Sequence, residues 1–248
     1  MKRNVPQCVA FFVGLFTLAG TAMHAQMVVG QSIGVDINTG APYGTASNWT
    51  GVDLFTTGIQ ALSLSDGASI SGVSVGFAKS SGGGFNDLSG TAVNNAITTA
   101  PTAVTWDGAY GSGFTDTTLT LTFSGLNNSI TYNLEIFSVS RDSSFPGDEN
   151  YFTDIPWING SSTNWPTGFE KRNRRYGQTT GAIFTGLTTD GSGNLSFSIE
   201  DAVNGNPVIN GAVLTAVPEP STYAALCGLG ALGFAAYRRR RRLAACRT

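Results

Sequence analysis

The chain has 248 residues, 32 of them glycine, a formal net charge of −2 and only 12% charged residues. Few charges and many glycines are typical of short strands joined by tight turns. The charge is unevenly distributed, because residues 26–217 hold fifteen acidic and six basic residues and so carry a formal charge of −9. Nucleic-acid binding requires a basic face, so this acidic body argues against a nucleic-acid partner.

Cysteine and histidine are absent from the body of the chain. The three cysteines are Cys8, Cys227 and Cys246, and the single histidine is His24. Without these side chains the body has no disulfide framework, Cys/His zinc site, cysteine nucleophile or Ser-His-Asp triad. Carboxylate chemistry and non-covalent binding remain.

The first 25 residues have the pattern of a secretory signal peptide. A basic start is followed by an apolar run at 9–18 and then by small residues up to Ala25. This pattern predicts export and cleavage between Ala25 and Gln26, with cleavage after Ala22 as an alternative. A buried helix is the other interpretation of the apolar run.

Residues 26–216 are predicted to form one all-β domain, a jelly-roll-type sandwich of two sheets. Apolar residues alternate with small or polar ones in several short segments, which is the period of a strand with one buried face. A short helix is allowed at 87–99. The predicted strands lie at 33–37, 73–77, 118–123, 130–139, 182–184, 194–199 and 208–215.

Two of these strands are predicted to pair with each other. Segments 118–123 and 130–139 are separated by the turn sequence Ser124-Gly125-Leu126, which predicts a β-hairpin. In the second strand Phe137 and Val139 lie on the face opposite Tyr132, Leu134 and Ile136. Apolar residues on both faces indicate a strand that is covered on both sides.

The second half of the body resembles a known fold family. The order of Phe123, Tyr132, Arg141, the turn at 190–193 and the segment 208–211 is similar to that of galactose-binding-like jelly rolls in exported bacterial proteins. This resemblance rests on turns and alternation, so it implies the fold and suggests a sugar ligand only by analogy.

Residues 141–176 are predicted to form a long irregular loop, and long loops on a sandwich are often functional. One hypothesis is a carbohydrate-binding face, in which Trp157 or Trp165 stacks on a sugar ring and Arg141 or Asp142 hydrogen-bonds its hydroxyls. In the alternative, the aromatic residues only anchor the loop on the sandwich.

The acidic residues of this loop raise two further hypotheses. Carboxylates can hold Ca²⁺, although their spacing matches no EF-hand and solvated loop acids are the alternative. Paired carboxylates could also serve a secreted hydrolase or lyase acting on carbohydrate. Because no catalytic signature frames them, we predict a non-catalytic protein with no assigned catalytic or metal-binding residue and Ca²⁺ as the one cofactor allowed. The candidates for calcium are Asp142, Asp148, Glu149 and Asp154, and those for catalysis are Asp142, Glu149, Asp154 and Glu170.

Residues 217–248 form a tail with three parts in a fixed order. Pro218, Glu219 and Pro220 come first, and the two prolines fix φ and remove two backbone donors, which predicts an extended, accessible tripeptide. An apolar segment at 223–237 follows. As a helix it would span roughly 22 Å, short of the roughly 30 Å hydrocarbon core of a bilayer. The tail then carries five arginines, which the positive-inside rule keeps in the cytoplasm: Arg238, Arg239, Arg240, Arg241 and Arg242.

This order of motif, short apolar segment and arginine block resembles the C-terminal signal of PEP-CTERM proteins, the exported substrates of exosortases. The resemblance implies transient anchoring in the inner membrane with the body on the periplasmic side. It also implies exosortase cleavage near Pro218-Glu219-Pro220 and delivery to the cell surface or extracellular matrix, often together with exopolysaccharide. A plain C-terminal membrane anchor is the alternative, and residues 243–248 extend beyond the usual end of such tails.

Overall fold

The computed structural model describes residues 26–37, 45–53, 56–80, 99–101, 104, 109–110, 118–138, 155–167, 181–200, 207–218, 227–235 and 237–238. Several sequence predictions lie outside these residues. They are the signal peptide with Ala25, nearly all of the helix at 87–99, Val139, the loop residues Arg141, Asp142, Asp148, Glu149, Asp154 and Glu170, and the tail residues Glu219, Pro220, Arg239, Arg240, Arg241 and Arg242.

The described part of the body is all β-structure, as predicted. Its strands are β1 (Ser32–Ile37), β2 (Thr50–Val52), β3 (Thr56–Leu62), β4 (Ser69–Lys79), β5 (Ala109–Tyr110), β6 (Thr118–Ser124), β7 (Thr131–Phe137), β8 (Ile155–Ile158), β9 (Ser161–Ser162), β10 (Ala182–Leu187), β11 (Leu195–Glu200), β12 (Val208–Ile209) and β13 (Gly211–Val217). A five-stranded sheet has the order β10-β7-β13-β1-β2, and a six-stranded sheet has the order β3-β4-β6-β11-β8-β9. Strands β12 and β5 form a separate pair.

The two sheets share one apolar core. In β6, Leu119, Leu121 and Phe123 are fully buried while the threonines between them are half-exposed, which is the alternation that the sequence predicted. Residues of both sheets join the same buried cluster, and the rings of Phe184 in β10 and Phe197 in β11 lie 5.4 Å apart. Burial of these side chains drives the association of the sheets into a sandwich.

The predicted hairpin between β6 and β7 is wrong. Strand β6 pairs with β4 and β11 in the six-stranded sheet, whereas β7 pairs with β10 and β13 in the other. Alternation places apolar residues of both strands in the same core, and this condition is met equally well when the strands face each other from opposite sheets.

Specific contacts fix the connection between β6 and β7, where the chain crosses from one sheet to the other. Gly125 adopts a φ of 77°, and a Cβ there would lie 1.8 Å from the carbonyl oxygen of Gly72, so only glycine fits. The hydroxyl of Tyr132 accepts from the backbone N–H of Asn127 at 2.9 Å and donates to the Asn127 carbonyl at 3.0 Å. A tyrosine bonded to the backbone just upstream is a known way to fix such a corner.

The prediction that β7 is covered on both faces is confirmed by Phe137. This side chain is fully buried on the side away from the main core, in a second cluster with Trp49 and Val104. The Trp49 and Phe137 rings lie 6.1 Å apart. The five-stranded sheet is therefore packed on both faces at this point.

The long loop predicted at 141–176 contains regular structure. Strand β8 pairs with β11, and β9 pairs with β8 across Asn159-Gly160. Both turn residues have positive φ, 48° and 75°, which is the requirement of the tight hairpin turn that Asn-Gly favours. The proline and the isoleucines of β8 do not alternate with polar residues, so periodicity missed a strand that the Asn-Gly dipeptide marks.

Candidate functional site

The C-terminal tail leaves the body from the centre of a sheet. Strand β13 lies between β7 and β1, and its last residue, Val217, pairs with Thr131 of β7. The hydroxyl of Thr131 donates to the Val217 carbonyl at 3.3 Å. Pro218 follows at once, and its missing N–H ends the pairing. The first residue of the tripeptide motif is therefore attached to the folded body without a linker.

The apolar part of the tail is helical where the structure describes it. Residues 227–235, 237 and 238 have helical conformation, in agreement with the predicted helix at 223–237. The large side chains Leu229, Leu232, Phe234 and Tyr237 are 54–69% exposed. The guanidinium of Arg238 lies 5.7 Å from the centroid of the Phe234 ring. A helix that is apolar on all sides is usually covered by other apolar groups.

No helix within the described residues is both long enough and apolar enough to cross a membrane.

A cleft of about 540 Å³ opens where the edges of the two sheets meet, between β9 and β10. Its volume lies within the range of ligand sites in proteins. The apolar part of its lining is formed by Ile158, Pro166, Ile183, Phe184 and Leu187. The polar part carries only hydroxyls and one amide, from Ser161, Ser162, Thr163, Asn164, Thr167 and Thr185.

This lining suits an uncharged, hydroxyl-rich ligand. Hydroxyl and amide groups both donate and accept hydrogen bonds, as sugar hydroxyls do, and apolar side chains can contact the C–H face of a sugar ring. Sequence reasoning missed these residues because serine, threonine and asparagine are common throughout the body. The one signal that distinguishes them is that all except Thr185 lie within four residues of Trp165 in the sequence.

Trp165 is half-buried and supports one wall of the cleft from behind. Its ring lies 6.0 Å from that of Phe184 and 6.4 Å from that of Phe197, so it packs against the main core. In this position the indole fixes residues 163–167 to the sandwich. The contact matches the anchoring alternative for this tryptophan.

Trp157 lies on the other face of the six-stranded sheet. It is paired with Ser198, whereas the neighbouring pair of Ile158 with Phe197 faces the core. Trp157 is half-buried, and its indole Nε1 has no hydrogen-bond partner within the described part of the chain. The structure therefore does not bring Trp157 and Trp165 to one face, while Arg141 and Asp142 lie outside the described residues.

The described part of the chain gives little support for a calcium site. The described residues contain no group of three or more His, Cys, Asp or Glu side chains that could hold a metal ion. Asp36 in β1 is fully buried; its Oδ2 accepts from the N–H of Ala46 at 2.8 Å, and its Oδ1 has no partner among the described residues. Burial raises the pKa of this carboxyl, and the bond from Ala46 offsets part of that effect.

Asp190, an exposed acid in a turn, has a pKa that is shifted in the opposite direction from that of Asp36. Asp190 precedes glycines at 191 and 193, which have φ of 88° and 83°, and this confirms the turn at 190–193. Its Oδ1 accepts from the backbone N–H of Asn194 at 3.0 Å and of Ser192 at 2.8 Å. These bonds, led by the one from Asn194, lower the pKa of Asp190. Asp190 therefore stabilises its own turn.

Comparison with known proteins gives a match for the tail alone. Residues 216–242 match the family model described as the PEP-CTERM protein-sorting motif. No curated protein matches the chain, and no solved structure does. The match begins at Ala216, within strand β13, and ends with the arginine block. It shows that the chain carries a PEP-CTERM sorting motif, the signal of proteins that exosortases process.

Proposed function

We propose that this chain is an exported protein that an exosortase cuts in its tail, and whose sandwich then acts at the cell surface or in the extracellular matrix as a non-catalytic glycan-binding protein. The observation that carries the first part is the family-model match at 216–242. In this proposal the apolar helix holds the precursor in the inner membrane with the body on the periplasmic side. The arginine block at 238–242 stays in the cytoplasm and so stops further export of the chain.

Mass spectrometry of the protein from cells with and without exosortase tests this processing. We expect the mature form to end near Pro218-Glu219-Pro220 in the presence of the enzyme and to keep the whole tail in its absence. The same spectra report any attached glycan. A mature surface form that still carries Arg238 to Arg242 would contradict the proposal and favour a plain membrane anchor.

Glycan binding is the proposed activity of the sandwich, and the cleft between β9 and β10 supports it. The hydroxyl, amide and apolar residues of its lining suit a sugar chain, such as one from the exopolysaccharide with which such proteins are associated. The two packed sheets are also the support for the finer jelly-roll assignment that we retain in this proposal.

Titration of the protein against a glycan panel, comparing wild type with Asn164→Ala and Thr185→Ala, tests the cleft. We expect each substitution to weaken binding by about fivefold or more, the loss of one or two hydrogen bonds to a neutral partner. Trp157→Ala serves as the matched control, because Trp157 lies on the opposite face of the six-stranded sheet. Absence of binding by the wild type would contradict glycan binding.

The absence of catalysis is tested on the same panel. We expect no release of reducing ends from any polysaccharide during prolonged incubation. Release that stops when Glu149 or Asp154 is replaced by its amide would instead identify a carbohydrate-active enzyme that uses carboxylates of the 141–176 segment.

A further inference from the structure

The peptide that exosortase must cut lies unusually close to the folded body. Val217 is still paired with Thr131, and both Val217 and Pro218 are half-buried. A fully extended chain advances at most about 3.6 Å per residue, so Glu219 lies within roughly 7 Å of the last paired residue. A peptidase that cuts this tripeptide must therefore contact the end of the sandwich while it works.

The N-terminal turn occupies the same end of the sandwich. The backbone N–H of Gly30 donates to the Ala216 carbonyl at 2.9 Å, and the N–H of Ala216 donates to the Gln31 carbonyl at 3.0 Å. These two bonds place residues 28–31 directly beside the exit of the tail. Any protein that approaches the tripeptide meets this turn.

Internal bonds hold the turn in one conformation. The N–H of Gln31 donates to the Val28 carbonyl at 3.0 Å, and the N–H of Val28 donates to Oε1 of Gln31, also at 3.0 Å. Gly30 has a φ of 90°, as the third residue of such a turn requires, and the preceding Met27 is fully buried. The turn is thus fixed to the body from both sides.

The tip of this turn is apolar. Val28 is 60% exposed and Val29 is 47% exposed. Turns are usually built from Gly, Pro, Asn, Asp and Ser, so two exposed β-branched residues in a fixed turn form an apolar surface. Two adjacent apolar side chains therefore face outward at a fixed position beside the exit of the tail.

We propose that Val28 and Val29 form a docking surface for exosortase, packing against an apolar area beside the peptidase's active site while Pro218-Glu219-Pro220 is cut. This inference rests on the proposed function, because it takes exosortase as the enzyme that processes the tail. The contact positions the peptidase at the tripeptide, whose first residue, Pro218, directly follows the central strand β13. Binding energy at the turn thereby favours cutting of a folded body.

Pulse-chase measurement of tail removal from the full chain in exosortase-containing cells tests the docking surface. We expect the double variant Val28→Asp with Val29→Asp to be cut at least about tenfold more slowly, since two central apolar contacts are replaced by charges. Ile59→Asp is the matched control, because Ile59 is also β-branched and is 39% exposed on β3. We expect it to be cut at the wild-type rate, and limited proteolysis of each precursor verifies folding.

A second pair of variants separates docking from other effects. Eight Gly and Ser residues are inserted between Val217 and Pro218, with and without the two Asp substitutions. The inserted chain lets the enzyme reach the tripeptide without meeting the turn, so we expect both forms to be cut equally fast. If the Asp substitutions still slow cutting in the linker form, the effect of the turn does not depend on its place beside the tripeptide, and the docking proposal is overturned.

The remaining outcomes are also decisive. Equal cutting of wild type and the directly joined Asp variant would overturn docking while leaving exosortase processing intact. A wild-type tail that is never cut, in cells that cut another exosortase substrate, would overturn both the docking surface and the proposed function.

Discussion

The sandwich and the helix of the tail use apolar residues in opposite ways. In the sandwich, side chains such as Leu121 and Phe197 are fully buried between two sheets. In the helix, Leu229 and Leu232 are more than two-thirds exposed in the structure. The sandwich supplies its own apolar environment, whereas the helix needs one from outside. We therefore expect the body to fold as a unit, and in the proposed function the tail finds its apolar environment in a bilayer.

The largest effect that tests this contrast is a cavity in the shared core. Phe197→Ala removes a fully buried ring that contacts Phe184 and Trp165, so we expect the free energy of unfolding to fall by about 3–5 kcal/mol. Leu229→Ala should leave it unchanged. Urea unfolding of the full chain in detergent measures both, and a comparable loss in the second variant would show that the tail is part of the folding unit.

The next effect concerns the crossing between the sheets. Tyr132→Phe leaves the N–H and carbonyl of Asn127 without their bonds to the hydroxyl, and we expect a loss of about 1–3 kcal/mol. Burial raises the pKa of Tyr132 to about 12, above its ordinary value of 10.0. A raised folded-state pKa means that this stabilisation is complete below pH 10 and is lost as pH rises toward 12. Alkaline unfolding curves should therefore converge for the two proteins.

A smaller effect is expected at Asp36. Burial raises its pKa, so its contribution to stability is present below its ordinary value of 3.8 and is lost as pH rises through the higher folded-state value. Asp36→Asn removes the charge, so we expect the stability of the variant to increase relative to the wild type as pH rises from acidic to neutral. Thermal melts across that range measure the difference. A constant difference would show that the carboxyl does not titrate there.

The smallest effect is expected at Asp190 on the surface. Its lowered pKa has the opposite sign, so its stabilisation is present above 3.8 and is lost as pH falls below that value. Asp190→Ala should lower the melting temperature slightly at neutral pH and should make no difference in strong acid. A larger effect in acid than at neutral pH would contradict the assignment of this turn.

Most of the strands could be predicted because their pattern is local. Strands β6 and β11 alternate strictly between buried and half-exposed residues, and this is visible in the sequence. Strand β3 is less visible because Gly58, with a φ of 70°, lies at a shift in its register with β4. The sheet that a strand joins depends on distant partners, which explains why β6 and β7 were assigned to one hairpin.

The tail and the cleft also differ in how far the sequence alone reveals them. The tail carries its signal in the order of its own residues, so Pro218 and Arg238 could be assigned from the sequence, and the family-model match covers both. The cleft combines residues such as Asn164 and Thr185 from segments that only the fold brings together. Neither residue is chemically distinctive, so no sequence pattern marks them as a pair.

The central place of β13 has a consequence for the timing of secretion. Strand β13 is the last strand of the described body, and it joins β1 on one side to β7 on the other. An exported chain emerges from its N-terminus, so the five-stranded sheet stays in two separate halves until residues 211–217 arrive outside. Only then can the sheet close, and the tripeptide motif follows one residue later. The fold is therefore completed at the same stage of export at which the tripeptide motif becomes available for cutting.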